Sequence, residues 1–119
     1  MVAYVEALEA RDWDGLGDLL APGVVYEVPQ TRERVSGREA VVRFNREYPG
    51  EWHLRVREAY GDASGGAVHL GWVGAPGEEE SGAVALLRFD PDGRILHITD
   101  YWPEPYEPPA ERAHLVERF

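Results

Sequence analysis

Hydrophobic spacing makes this chain helical at its start and strand-rich at its end. Val2, Val5 and Leu8 recur at helical spacing with Ala3, Ala7 and Ala10 beside them and Asp12 near the same face, which predicts a helix over residues 2–11. Asp12 is placed to cap a second short helix, Trp13 to Leu20, whose apolar positions are Leu16, Leu19 and Leu20. Gly15 and Gly17 weaken that helix, and Ala21-Pro22-Gly23 is read as its stop. Residues 24–28 alternate as a short strand ended by Pro29, and residues 30–35 read as a polar connection. Ser36-Gly37-Arg38-Glu39 has the spacing of a capping box. The helix it opens is expected to run to about Tyr48, with Ala40, Val41, Phe44 and Tyr48 as its buried stripe and Pro49-Gly50 ending it.

Four strands follow at hairpin spacing. In residues 51–60, Trp52, Leu54 and Val56 alternate with His53, Arg55 and Arg57. Residues 67–73 and 83–89 are apolar on both faces, so both faces need cover. Helices cover one, and a second copy of the chain is expected on the other. The last strand follows the turn Asp90-Pro91-Asp92-Gly93, and alternation puts Leu96, Ile98, Asp100 and Trp102 on one face. A carboxylate among apolar and aromatic groups is costly unless something pairs with it or protonates it. Residues 103–109 are proline-rich and expected to be extended, with a short helix over residues 110–119.

Composition removes whole classes of chemistry. The chain has 119 residues, fitting one domain over residues 1–119 with residues 103–119 as a proline-rich C-terminal extension. It has no cysteine, so disulfides, thiol catalysis and cysteine zinc sites are out. All twelve basic residues are arginine, which excludes a lysine Schiff base and a Walker-type phosphate loop. A net charge of −10 argues against nucleic acid and anionic lipid. No apolar run approaches the roughly 20 residues of a membrane span. No leader pattern opens the chain, so the expected compartment is the cytoplasm. His53, His69, His97 and His114 lack the local spacing of a metal motif, and no metal or other cofactor is expected.

The order of elements, with residues 21–29 (APGVVYEVP), Ser36-Gly37-Arg38-Glu39, and Asp92-Gly93-Arg94-Ile95 leading to Asp100-Tyr101-Trp102, resembles the SnoaL-like branch of the nuclear transport factor 2-like superfamily. The resemblance implies an α+β, cystatin-like fold: a conical, strongly curved mixed or antiparallel β-sheet wrapped around N-terminal helices, enclosing a pocket, in a homodimer. It does not choose a function, because the family holds cyclases, isomerases, epoxide hydrolases, dehydratases and binding proteins. Ketosteroid isomerases carry a base Asp just before a Pro on the first strand; here Val28 stands before Pro29. Limonene epoxide hydrolases end on a strand whose Asp looks like Asp100, but their Arg-x-Asp pair is matched by Ala67 and His69.

Asp100 is the leading catalytic candidate, as a general acid or base raised by neighbours such as Ile98 and Trp102. The alternative is a structural carboxylate bonded to Arg, Tyr or a backbone amide. His69 is a second catalytic candidate across the concave face, although Val68, Leu70 and Trp72 form the more apolar set, and His69 reaches the pocket only if a bulge reverses the strand's parity. Tyr26, Trp72, Ile98, Trp102 and Trp13 are the candidate ligand-binding residues, while most of the chain's tryptophans are read as core. A hairpin at Asp90 to Gly93 is expected to set residues 98 and 100 opposite 85 and 83, where alanines leave room beside the carboxylate. Two functions fit: a small-molecule-binding module for a small apolar organic ligand, or a cofactor-independent enzyme with Asp100 as proton shuttle.

Overall fold

The computed structural model describes all of residues 1–119. Its elements are α1 (Val2–Ala10), α2 (Trp13–Leu19), β1 (Leu20–Val28), β2 (Glu33–Ser36), α3 (Arg38–Arg46), β3 (His53–Gly61), β4 (Gly65–Val73), β5 (Ser81–Phe89) and β6 (Ile95–Tyr101), then a 3-10 turn at Ala110–Leu115. The α+β architecture is the one expected. Six strands form one mixed, open sheet in the order β2-β1-β6-β5-β4-β3. β3 to β6 run as an antiparallel meander, and β6 lies parallel to β1.

The helices cover one face. α1 buries Tyr4, Val5, Ala7 and Leu8, while Val2 at its start stays exposed. Arg11 takes a left-handed conformation (φ 57°) and lets the chain leave the helix, with the Arg11 and Asp12 amides donating to the Leu8 and Ala7 carbonyls. Asp12 then caps α2 as expected, its carboxylate accepting from Gly15 N at 2.9 Å. Glu9 ties α1 to the meander by accepting from Leu54 N at 2.8 Å. From α3, Arg38 donates through Nε and one terminal nitrogen to the Leu20 carbonyl, pinning that helix where α2 passes into β1.

Several local expectations are corrected. Residues 30–35 are not polar connection throughout: Glu33 to Val35, with Ser36, form β2, which pairs Val25 with Ser36 and Val28 with Glu33. Ser36 is therefore a ladder residue and caps nothing; Gly37, at φ 95°, is the N-cap of α3 and has no side chain to offer. α3 ends at Arg46, with Val41 buried, Phe44 half-buried and Ala40 exposed, so Tyr48 reaches the site from beyond the helix. α2 ends one residue early because Leu20 is already extended, and Pro22-Gly23 falls within a register irregularity of β1.

The turn into β6 is one residue longer than expected. The Asp90 amide donates to the Arg94 carbonyl, leaving Pro91, Asp92 and Gly93 as the loop, with Gly93 at φ 83°. A bulge then separates Phe89↔Ile95 from Arg88↔His97. Leu96 is the extra residue and is exposed, so it leaves the inward set and Ile95 joins it. The two irregularities together move the register by two, which restores the original faces. Ala85 thus stands opposite Asp100 and Leu87 opposite Ile98, rather than Ala83 and Ala85.

Candidate functional site

β1 and β6 are parallel neighbours, with Tyr26 beside Ile98 and Glu27 beside Thr99. That register brings the Tyr26 phenol over the end of β6, where its hydroxyl donates to Asp100 Oδ2 at 2.5 Å. Asp100 is 6% exposed, and its other oxygen, Oδ1, is buried with no hydrogen-bond partner. Burial lifts the Asp100 carboxyl above its ordinary value, and the Tyr26 hydrogen bond offsets only part of that lift. The Trp102 indole approaches both groups. Burial, reinforced by the Asp100 charge, pushes the Tyr26 and Tyr4 phenols far up, so both stay protonated.

Aromatic rings wall the space in front of the carboxylate. On one side Phe44 lies between Tyr26 and Tyr48, with ring centroids 5.2 and 5.6 Å away. On the other, Trp72 and Trp102 meet edge to face at 5.6 Å. Tyr4 and Leu8 of α1, with Trp52 just before β3 and Leu70 of β4, close the inner end. The inner cavity measures about 50 Å³. It shares Tyr26, Phe44, Tyr48, Trp72 and Trp102 with an outer cavity of about 620 Å³, whose rim carries Gln30, Glu33 and Glu104. Gln30 fixes this rim: its amide oxygen accepts from Trp102 N and its amide nitrogen donates to the Trp102 carbonyl.

Of the residues singled out in the sequence, Asp100, Tyr26, Trp72 and Trp102 meet at this cavity. Ile98 is fully buried on the same face of β6 but does not line the space. Trp13 is half-buried on α2 and borders a separate surface hollow with Asp14, Arg38 and Val42. His69 is on the opposite face of the sheet: it pairs with Val84 and Glu58, and its Nε2 lies 3.4 Å from Arg57. The irregularities of the meander fall in β3 and at the turn into β6, while β4 keeps strict alternation with β5, so nothing reverses the parity that turns His69 outward. The other histidines stand apart, His53 on Glu9 and His97 on Glu27.

The sequence reading missed the roles of Tyr4, Phe44, Tyr48 and Trp52. Phe44 and Tyr48 carried a signal, because two rings four residues apart on a helix can share one face. Tyr4 stands one turn before Leu8 on α1, and that spacing was the signal available for it.

Fold and cavity together define a class: small α+β proteins whose curved sheet and helices enclose an aromatic pocket. The SnoaL-like domain family matches residues 1–98, and the chain belongs to it. A candidate ketosteroid isomerase from Kribbella flavida is 44% identical, with 98% of this chain and 84% of that one covered and a TM-score of 0.90. A nuclear transport factor 2-like protein of unknown function from Burkholderia xenovorans is 24% identical over 98% of this chain and 90% of its own, with a TM-score of 0.77. A Catenulispora acidiphila protein of ketosteroid isomerase-like fold, solved with trimethylamine, is 20% identical over 84% and 82%, with a TM-score of 0.71.

Proposed function

We propose that this protein binds a small organic molecule in the aromatic cavity, with Asp100 as the polar group that orients it. The observation that carries this reading is the unpartnered Oδ1 of Asp100, buried at the inner end of a ring-walled space. Ordinary cores do not leave a carboxylate oxygen and a void side by side. Inner and outer spaces together have the size and apolar lining of a ligand site. The trimethylamine bound to the Catenulispora relative supports a small guest. The chain acts as a homodimer through the convex face of the sheet, where Leu86, Leu96 and Tyr101 leave apolar surface uncovered. It works in the cytoplasm.

A second reading makes Asp100 a general acid or base, and its raised pKa and short Tyr26 hydrogen bond favour it. The resemblance to the Kribbella protein points to isomerisation of a ketone. A proton relay of that kind needs a base over the substrate, and at the first-strand position this chain has Val28, which lines the outer cavity. Binding is therefore the preferred reading. Trp52, Trp72 and Trp102 line the cavity, so ligand entry is expected to shift the intrinsic fluorescence and move the amide signals of Tyr26, Ala85 and Asp100. A panel of small cyclic ketones, epoxides and organic ammonium ions leaving all of these unchanged would refute the reading. Turnover of any panel member by the native protein, abolished in Asp100→Asn with binding kept, would establish the enzyme instead.

A further inference from the structure

We infer that the molecule this cavity is built for carries a positive charge: a small organic ammonium whose alkyl groups rest on the rings of Phe44, Tyr48, Trp72 and Trp102 while its charge lies beside Asp100 Oδ1. This rests on the binding reading above and narrows it to one ligand chemistry.

The charges around the cavity argue for it. From β1, Tyr26 faces Asp100; from α1, Tyr4; from β4, Leu70 and Trp72; from β5, Ala85; and from the end of α3, Asn45. None of these is a cation. The rim adds Glu33 and Glu104, and again no arginine, although the chain has twelve basic residues. Arg11 stacks on Trp52, 3.6 Å from its ring centroid, and is not part of the lining. A buried carboxylate demands a partner, and here the protein supplies only neutral groups: the Tyr26 phenol donates to Oδ2, the Trp102 indole lies nearby, and Oδ1 has no hydrogen-bond partner.

The rings supply the second half. A cation within about 6 Å of an aromatic centroid is attracted by the ring quadrupole, more strongly where water is excluded. Two ring clusters line the space together with the carboxylate. An anionic guest would meet three carboxylates and no base. A neutral ketone is the strongest rival, because a protonated Asp100 can donate from Oδ1 to a carbonyl. The two guests differ in pH dependence. Ammonium binding requires the carboxylate and tightens as pH rises through the Asp100 midpoint; ketone binding requires the acid and weakens over the same range.

The test uses three probes of similar shape: tetramethylammonium, pinacolone and pivalate. Each is titrated into the labelled native protein, above and below the Asp100 midpoint found by carboxyl-carbon NMR. Tetramethylammonium is expected to move the Tyr26, Ala85 and Asp100 amides, to bind at least about tenfold better than pinacolone above the midpoint, and to lose about tenfold or more in Asp100→Asn. Pivalate is expected to leave these amides unmoved. If pinacolone binds there better and weakens with rising pH, the ammonium assignment falls and the binding reading stands. If no probe moves those amides, both fall. Binding of tetramethylammonium that is indifferent to pH overturns the assignment even should Asp100→Asn fail to fold.

Discussion

Tyr26 and Glu27 are consecutive in β1 and face opposite sides of one sheet, and the carboxylates they touch live under opposite rules. On the convex side Glu27 meets His97 Nε2 at 2.6 Å and Arg34 at 2.9 Å, and Glu80 meets Arg55 and Arg57. These partners hold both glutamates below their usual range, the His97 hydrogen bond being the first cause for Glu27 and the Arg55 hydrogen bond for Glu80. On the concave side Asp100 has no cation and is held above its range by burial. The fold places arginines beside Glu27 and Glu80 on the convex side and none beside Asp100 in the cavity. Charge pairing thus separates scaffold from site more clearly than residue type does.

The largest break of this contrast comes from Ala85 and Leu86, again neighbours on opposite faces. Ala85 is 1% exposed beside Asp100. Ala85→Glu sets a second unpaired carboxylate there and is expected to cost about 3–5 kcal/mol in chemical denaturation. A loss below about 1 kcal/mol would mean that water reaches the inner cavity freely. Next in size is Tyr26→Phe, which removes the sole donor to Asp100 Oδ2 while keeping the ring. It is expected to cost about 1–3 kcal/mol. It also moves the Asp100 pKa further up, because the hydrogen bond it deletes is the main influence lowering it; carboxyl-carbon NMR reads that shift.

The convex face carries the third effect. Leu86 is 42% exposed, and Leu86→Glu is expected to change monomer stability by no more than about 0.5 kcal/mol. It is expected to turn the proposed dimer into monomer at micromolar concentration, read by light scattering. A dimer that survives the substitution places the interface elsewhere.

How much of this was legible depended on which signals are local. Asp12 capped its helix as read because a cap is a short-range matter of one carboxylate and one amide. Trp72 and Asp100 faced inward as read because alternation is set by the apolar majority of each strand. Ser36 misled because the same short polar residue serves a cap or an edge strand, and only pairing with Val25 across the Pro29 turn decides. Leu96 misled because its bulge belongs to the pair of strands and leaves no mark on either one alone. Phe44 and Tyr48 were read from their spacing as a buried stripe, but that they wall the site with Tyr26 depends on α3 docking against β1, which the spacing does not encode.

The finest test uses pH, where the two faces predict opposite signs. The folded-state pKa of Asp100 lies above its ordinary 3.8, so in the window above that value the native state holds more protons than the unfolded one. Stability from this group is fully present below the window and is lost as pH rises through it. Relative to Asp100→Asn, the native protein therefore weakens with rising pH there, by about 1.4 kcal/mol for each tenfold change in proton affinity. Glu27 runs the other way. Its folded-state pKa lies below 4.5, so its contribution is complete above that value and is lost as pH falls through the lowered one. Relative to Glu27→Gln, the native protein weakens as pH falls. Glu27 is partly solvated and its pairs are screened, so its difference curve is expected to be the shallower of the two and to flatten with added salt. The Asp100 curve should keep its slope in salt, since burial rather than a distant charge causes it. Curves of the same sign would mean that Asp100 has found a cation the cavity was thought to lack, and would remove the reason for expecting its ligand to bring one.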